Sequence, residues 1–357
     1  MGIRYDKDSH KATNGPMIFF SILKDETFEE EIRNAFISGL SFYAYRFPHD
    51  TMFSYGSSEG YIEGIGIPGF AIGMFDPNLP FLTIPYNGIK LSQQSDSLYT
   101  MPDKSTSFEE YSREVEKIIK DLKENQGSKV VAARVEVRER SIDIAEKFYE
   151  LNSLFPENFV FCFSTPATGC WIGASPELLL ESKEETLNSM ALAGTRPAGS
   201  NSQWDEKNIK EQEIVTEYIL NLFNKHNLSS EVEETYTKKT GNIEHICTPI
   251  RGRIADMQDF NLAALLKELS PTPALCGMPK KFALEEIRNL EHFDRGCYGG
   301  FCGPFHSLQD FIFHVIIRCA SINEKRYCIY AGGGITSCST VKSEWEESSL
   351  KIKNSSI

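Results

Sequence analysis

The sequence predicts an α+β fold, and three features predict it. Segments within residues 1–100 alternate apolar and polar side chains between Gly and Pro breaks, as strands do. After Ser107 the apolar spacing lengthens to that of a helix, with Phe108, Tyr111, Val115, Ile118, Ile119 and Leu122 along one face. Residues 311–320 are almost wholly apolar at both parities, interrupted by Arg318, which predicts a central strand covered on both sides.

In chain order, residues 17–23 read as a strand, Asp25 as the N-cap of a helix running to Leu40, and 41–47, 61–75 and 81–86 as strands. Residues 76–106 are polar and turn-rich, a mobile surface excursion. Ser107 and Glu110 form a capping box for the helix that Gly127 ends. The strand 129–137 puts Val131, Ala133, Val135 and Val137 on one side and Arg134 and Glu136 on the other. A helix over 142–151 and strands over 159–164 and 170–172 lead into GASPELLLES. MALAGTRPAGS is a glycine turn out of a strand, and a helix follows over 207–224. Residues 243–254 form a strand, 261–269 a short helix closed by SPTPALCGMPK, and 282–290 another helix. RGCYGGFCGPF is a glycine-rich bend around Tyr298. No internal repeat or low-complexity tract is found.

With 357 residues and 41% hydrophobic content, the chain can bury a large core. Its net charge of −13 argues against a nucleic-acid partner or an anionic membrane surface, both of which call for an excess of Lys and Arg. Nine scattered cysteines without a CxxC pair imply neither a zinc site nor a disulfide framework and point to a reducing compartment. With no signal-peptide pattern and no apolar run near the ~20 residues that span a bilayer, the expectation is a cytoplasmic protein.

Several charged residues offend the local pattern. Lys129 shares the apolar side of its strand; it either snorkels out at the strand end or occupies a cavity that would make it a general base. Glu177 heads a leucine run, so it is either a solvated strand-end carboxylate or an acid whose pKa is raised. Glu211 falls on the stripe of Val215, Tyr218 and Leu222 and needs a partner, a lysine or a metal. Arg318 is costly in an apolar strand unless an anion meets its planar fork. His245 reads as an ordinary satisfied strand histidine. The stretch YCIYAGGGITSCSTVKSEWEESSLK reads as a strand, a glycine turn at Gly332, Gly333 and Gly334 able to approach an anion, and a helix. On that helix Glu344, Glu347 and Lys351 share one stripe. The stripe is either a solvated, salt-bridged face or a site for a hard cation and an anionic ligand.

The motifs GASPELLL, ALAGTRP, PTPALCGMPK, RGCYGGFCG, IIRCA, YAGGGI and EWEESSLK, with the helix carrying Glu211 and Gln212, occur in the order seen in chorismate-utilising enzymes. The chain resembles that family from about Lys129 to Lys351 and is most similar to its isochorismate synthases. The resemblance implies a large, mainly antiparallel sheet folded into a two-layer core with outer helices. It also implies a single structural domain in which residues 1–100 are the variable part of the same sheet and 101–357 the chorismate-binding core.

Carried over by motif, the resemblance implies that Glu211 and Glu347 bind Mg²⁺, with Glu344 as an alternate ligand. Arg318, Gly332 and Lys351 would take a substrate carboxylate, Gly194 and Thr195 would form the turn beside the ring, and Ala274 would line the wall. Lys129 matches the family's water-activating lysine and Glu177 its general acid, the first expected neutral and the second protonated. Ala193 stands where aminodeoxychorismate synthases carry a nucleophilic lysine, which disfavours that activity. A glutaminase subunit is not expected. Ser270, Gln212, Asn208 and Ile209 depart from residues common in isochorismate synthases, in supporting positions. The implied activity is a Mg²⁺-dependent conversion of chorismate to isochorismate, with menaquinone as the expected pathway. Salicylate synthase or an anthranilate synthase component I is the alternative, and Ala274 favours the first reading.

Overall fold

A computed structural model describes residues 25–86, 97–125, 127–200, 202–254 and 259–357. The strand expected at 17–23 lies outside them, as does part of the excursion expected at 76–106. Two sheets organise the rest. The first runs Gly277–Met278, Lys129–Arg138, Tyr327–Ile335, Cys319–Ile322, Gly169–Ser175, Phe159–Thr165, Ser41–Arg46, Ser54–Ser58. The second runs Leu228–Val232, Ile243–Ile254, Thr186–Pro197, Leu178–Lys183, Asp310–Val315, Phe301–Ser307, Gly69–Gly73, Leu82–Pro85, Ile62–Glu63, with Tyr236–Thr240 also on Ile243–Ile254. Among the described residues, all these pairings are antiparallel.

The alternation read in the sequence decides which side chains enter the space between the sheets. In Ser41–Arg46, Tyr43 and Tyr45 point inward and stack on Phe70 of the second sheet, with ring centroids 5.5 and 5.7 Å apart. Phe42 and Ala44 point outward and meet Phe28 and Phe148 of the helices Glu26–Ile37 and Ile144–Leu154. Asp25 caps the first of these by accepting from the Thr27 and Phe28 amides. Helices Phe108–Asn125 and Lys280–Leu290 cover Val130, Ala132 and Ile335. Ser107 and Glu110 exchange both capping-box bonds, at 2.9 and 3.1 Å. Helix Glu206–Lys225 packs through Val215, Ile219, Leu222 and Phe223. The core is thus two layers of sheet with helices outside. Residues before 100 contribute strands to both sheets rather than to one.

Three sequence expectations need correction. The apolar run 311–320 is not one central strand: Asp310–Val315 belongs to the second sheet and Cys319–Ile322 to the first. Ile316, Ile317 and Arg318 cross between the layers, so the run is apolar because it is enclosed, not because it is straight. Gly332, Gly333 and Gly334 do not form a turn; they are the interior of Tyr327–Ile335, opposite Ala133, Ala132 and Val131. The strand expected over 61–75 is two, Ile62–Glu63 and Gly69–Gly73, divided at a loop holding Pro68.

Candidate active site

A cleft opens between the sheets at the glycine strand. Eight of the eleven site residues expected from the resemblance line it: Glu177, Gly194, Thr195, Glu211, Ala274, Arg318, Gly332 and Lys351. Leu275, Tyr298, Ile317 and Tyr330 add apolar and aromatic wall. Lys129 and Glu347 are outside that lining but joined to it by ion pairs with Glu211 and Lys351, whereas Glu344 pairs with Lys207, which does not line it.

The bare strand makes room for those groups. A Cβ on Gly334 would run into Glu211 Oε1 and the Lys129 side chain, and one on Gly333 would stand 3.0 Å from Glu344 Oε2 and 3.8 Å from Glu347 Oε1. One on Gly332 would meet Tyr298 Oη at 3.0 Å. Glycine is required here for close approach rather than for a turn. Gly194 serves differently. Its φ of +72° lies at the irregularity between Ala193 and Arg196, inside Thr186–Pro197, and not in a turn leaving the strand. Asn208, on the facing helix, accepts from the Thr195 amide at 3.1 Å and fixes that distortion.

Each acidic residue of the expected metal set has a lysine. Glu211 Oε1 meets Lys129 Nζ at 2.6 Å, Glu344 Oε1 meets Lys207 Nζ at 2.8 Å, and Glu347 Oε1 meets Lys351 Nζ at 2.7 Å. Lys129 is 0% exposed, so the cavity alternative holds over snorkelling. It is one half of a buried salt bridge, not the free amine the resemblance implied. All three carboxylates act on Lys207 and raise its pKa against the opposing effect of burial. Glu344 is 1% exposed, and its Oε2 has no hydrogen-bond partner among the described residues. The three carboxylates therefore converge, and one of them offers a free oxygen. An all-oxygen donor set beside an open cleft suits Mg²⁺, which takes one or two carboxylates and completes its shell with water and ligand oxygens. Among the described residues, no group of three or more His, Cys, Asp or Glu side chains is placed to hold a metal ion together.

The opposite wall leaves charge unanswered. Arg318, at φ +51° where the chain crosses between sheets, is 9% exposed. Among the described residues it has no carboxylate within 4.0 Å; it donates to His245 Nε2 at 3.3 Å and weakly to the Lys351 carbonyl at 3.5 Å. Burial lowers its pKa to about 10, so it stays charged near neutral pH. A buried guanidinium without a counter-ion, lining a cleft, is an anion receptor.

Sequence reasoning undervalued His245. Its Nδ1 lies 2.7 Å from the Gly194 carbonyl, which can only accept, so Nδ1 carries the proton and Nε2 offers its lone pair to Arg318. Burial and the Arg318 charge push its pKa down to about 3, which keeps the ring neutral. The ring aims the guanidinium. The available signal was parity: His245 falls on the side of Ile243 and Cys247, both fully buried.

Glu177 is 2% exposed, and its Oε1 has no hydrogen-bond partner among the described residues. Burial raises its pKa to about 8 against the opposing pull of Lys238 and Lys129, so it holds a proton at neutral pH. Lys238 and Lys207 carried no signal of their own in the sequence: each becomes part of the site only through the strand or helix that faces it.

The fold and this cleft define a two-sheet α+β protein whose cleft carries a buried guanidinium and a proton-holding carboxyl. The chain belongs to the chorismate binding enzyme family, which it matches over residues 86–355. It is 30% identical over 263 residues to the vibriobactin-specific isochorismate synthase of Vibrio cholerae, covering 70% of this chain and 66% of that one. It is 33% identical over 242 residues to the isochorismate synthase EntC of Escherichia coli, covering 64% and 61%. These matches span slightly less than two thirds of either relative. The solved structure of MenF, the menaquinone-specific isochorismate synthase of Escherichia coli, superposes with a TM-score of 0.75 at 19% identity over 88% of this chain and 87% of that one. Among the described residues no helix is long and apolar enough to cross a membrane, and all nine cysteines are free.

Proposed function

We propose that this chain is an isochorismate synthase that adds water at C2 of chorismate and expels the 4-hydroxyl. One observation carries the reading: a single small cleft presents both a protonated, buried carboxyl at Glu177 and an uncompensated guanidinium at Arg318. Relatives named isochorismate synthases support the choice of reaction.

Arg318, held by neutral His245, takes a substrate carboxylate, with the Lys351 ammonium beside it. Glu177 gives its proton to the departing hydroxyl, which leaves as water while the ring double bonds shift. Lys129 accepts the proton of the attacking water, a role that requires its amine to have lost a proton and to be released from Glu211. Glu211, Glu347 and Glu344 would hold Mg²⁺, which when bound neutralises and orients a substrate carboxylate. One water enters and one leaves, so the reaction is balanced. Ala193 and Ala274 leave the cleft without an amine or hydroxyl at two points on its wall. The product supplies menaquinone in this reading, and no glutaminase partner takes part.

The test is chorismate with purified protein, with and without Mg²⁺, resolved by chromatography. Isochorismate without pyruvate, formed only with Mg²⁺, is the expected result. Salicylate with pyruvate would replace the reading with salicylate synthase, and ammonia-dependent anthranilate would reject both.

A further inference from the structure

A buried acid that gives up its proton becomes a buried anion, and something must face that charge. The groups that act electrostatically on the Glu177 carboxyl come from two strands. Lys129 on Lys129–Arg138 has its charge answered by Glu211 at 2.6 Å. Lys238 on Tyr236–Thr240 is different: among the described residues it has no carboxylate within 4.0 Å. Its Nζ donates instead to the carbonyl of Pro176, the residue before Glu177, at 2.7 Å, and lies 3.9 Å from Met190 Sδ. Two further titratable groups pack nearby without carrying charge. His314 of Asp310–Val315 stacks on Phe159 at 4.3 Å and is kept neutral by burial, and the Cys247 thiol of Ile243–Ile254 is pushed up by burial. Glu157 also acts on Lys238, from further off than any ion pair.

We propose that Lys238 is a positioning residue for Glu177: its ammonium, anchored on the Pro176 carbonyl, compensates the negative charge that forms when the carboxyl releases its proton. This rests on Glu177 being the proton donor of the proposed reaction. The O–H bond of Glu177 breaks, the proton goes to the departing hydroxyl oxygen, and the carboxylate left behind lies in the field of Lys238, the stronger in effect of the two lysine charges that act on it and the one without a carboxylate partner among the described residues. Lys238 need not touch substrate, and it does not line the cleft. Its strand is fixed by pairing with Ile243–Ile254, where Lys238 stands opposite His245, so the same pair of strands sets both the anion receptor and the acid's counter-charge.

The experiment titrates the Glu177 carboxyl by infrared spectroscopy of protein carrying ¹³C-labelled Glu, its band assigned by its loss in Glu177→Gln. Lys238→Gln keeps a donor for Pro176 and removes only the charge, while Lys238→Arg keeps the charge. In Lys238→Gln the carboxyl is expected to titrate at higher pH, with proton affinity up about tenfold, and in Lys238→Arg close to wild type. With chorismate, Lys238→Gln should lower kcat about tenfold with KM nearly unchanged and move the alkaline limb of the kcat profile upward, and Lys238→Arg should restore both. A wild-type Glu177 titration in Lys238→Gln overturns the proposal, as does failure of Lys238→Arg to restore it. If no variant and no wild-type sample converts chorismate, the reaction is wrong and the carboxyl titration alone decides the role of Lys238.

Discussion

Arg295 and Arg318 are both buried guanidiniums, and they are solved in opposite ways. Arg295 pairs with Glu291 and donates to the carbonyls of Leu275 and Val131, each at 2.8 Å, while Glu291 also accepts from the Ala133 amide. Every charge in that group is answered from within the chain. Arg318 has only a neutral imidazole and one long bond to a carbonyl. The carboxyls divide the same way: Glu291 is ionically satisfied, whereas Glu177 keeps a proton and an unpartnered oxygen. Burial does not separate these two arginines; a carboxylate partner does.

Glu177→Gln sharpens that contrast most. Losing the proton donor should cut kcat by about 10²–10⁴-fold with little change in substrate affinity, read by steady-state kinetics beside calorimetric binding. It also has a stability signature. The folded carboxyl holds its proton to about pH 8, against 4.5 for an ordinary one. Between those values the folded state binds the extra proton, so the group's contribution is full below 4.5 and is lost as pH rises through 8. Urea melts at pH 5 and pH 8 should therefore show wild type losing on the order of 1 kcal/mol per pH unit more than Glu177→Gln across that window.

Arg295→Met strands Glu291 in the core and should cost about 3–5 kcal/mol of stability by denaturant unfolding. Arg318→Met removes a charge that no internal partner needs. It should leave stability within about 1 kcal/mol of wild type while weakening substrate binding by about 10–100-fold. Equal stability losses in the two variants would break the comparison. The smallest expected effect is Gly334→Ala, where the added methyl meets Glu211 and Lys129: about 1–3 kcal/mol of strain, with turnover reduced more than the fold's circular dichroism.

Much of this was legible in the sequence because it rests on short-range pattern. Period-2 alternation placed Tyr43 and Tyr45 against Phe42 and Ala44 on opposite faces, and Ser107 with Glu110 announced a helix start that the structure repeats bond for bond. Residues that broke the alternation, Lys129, Glu177 and Arg318, are buried at the cleft or just behind it. What failed depends on the third dimension. Three glycines in a row read as a turn, because nothing in the string says that a helix carboxylate and a strand lysine will press on them. The apolar run around Ile316 read as one strand, because enclosure between two sheets and a central place in one sheet give the same composition. The lysine partner Lys207 and the parity-hidden His245 acquire roles only through elements far away in sequence.

The most direct measurement is calorimetric binding of chorismate, with Mg²⁺, to Glu177→Gln and to Glu177→Gln/Arg318→Met, so that turnover does not interfere. A site built on the unanswered guanidinium predicts saturable binding to the first and a Kd at least about tenfold weaker in the second. Equal affinity in the two proteins would contradict it.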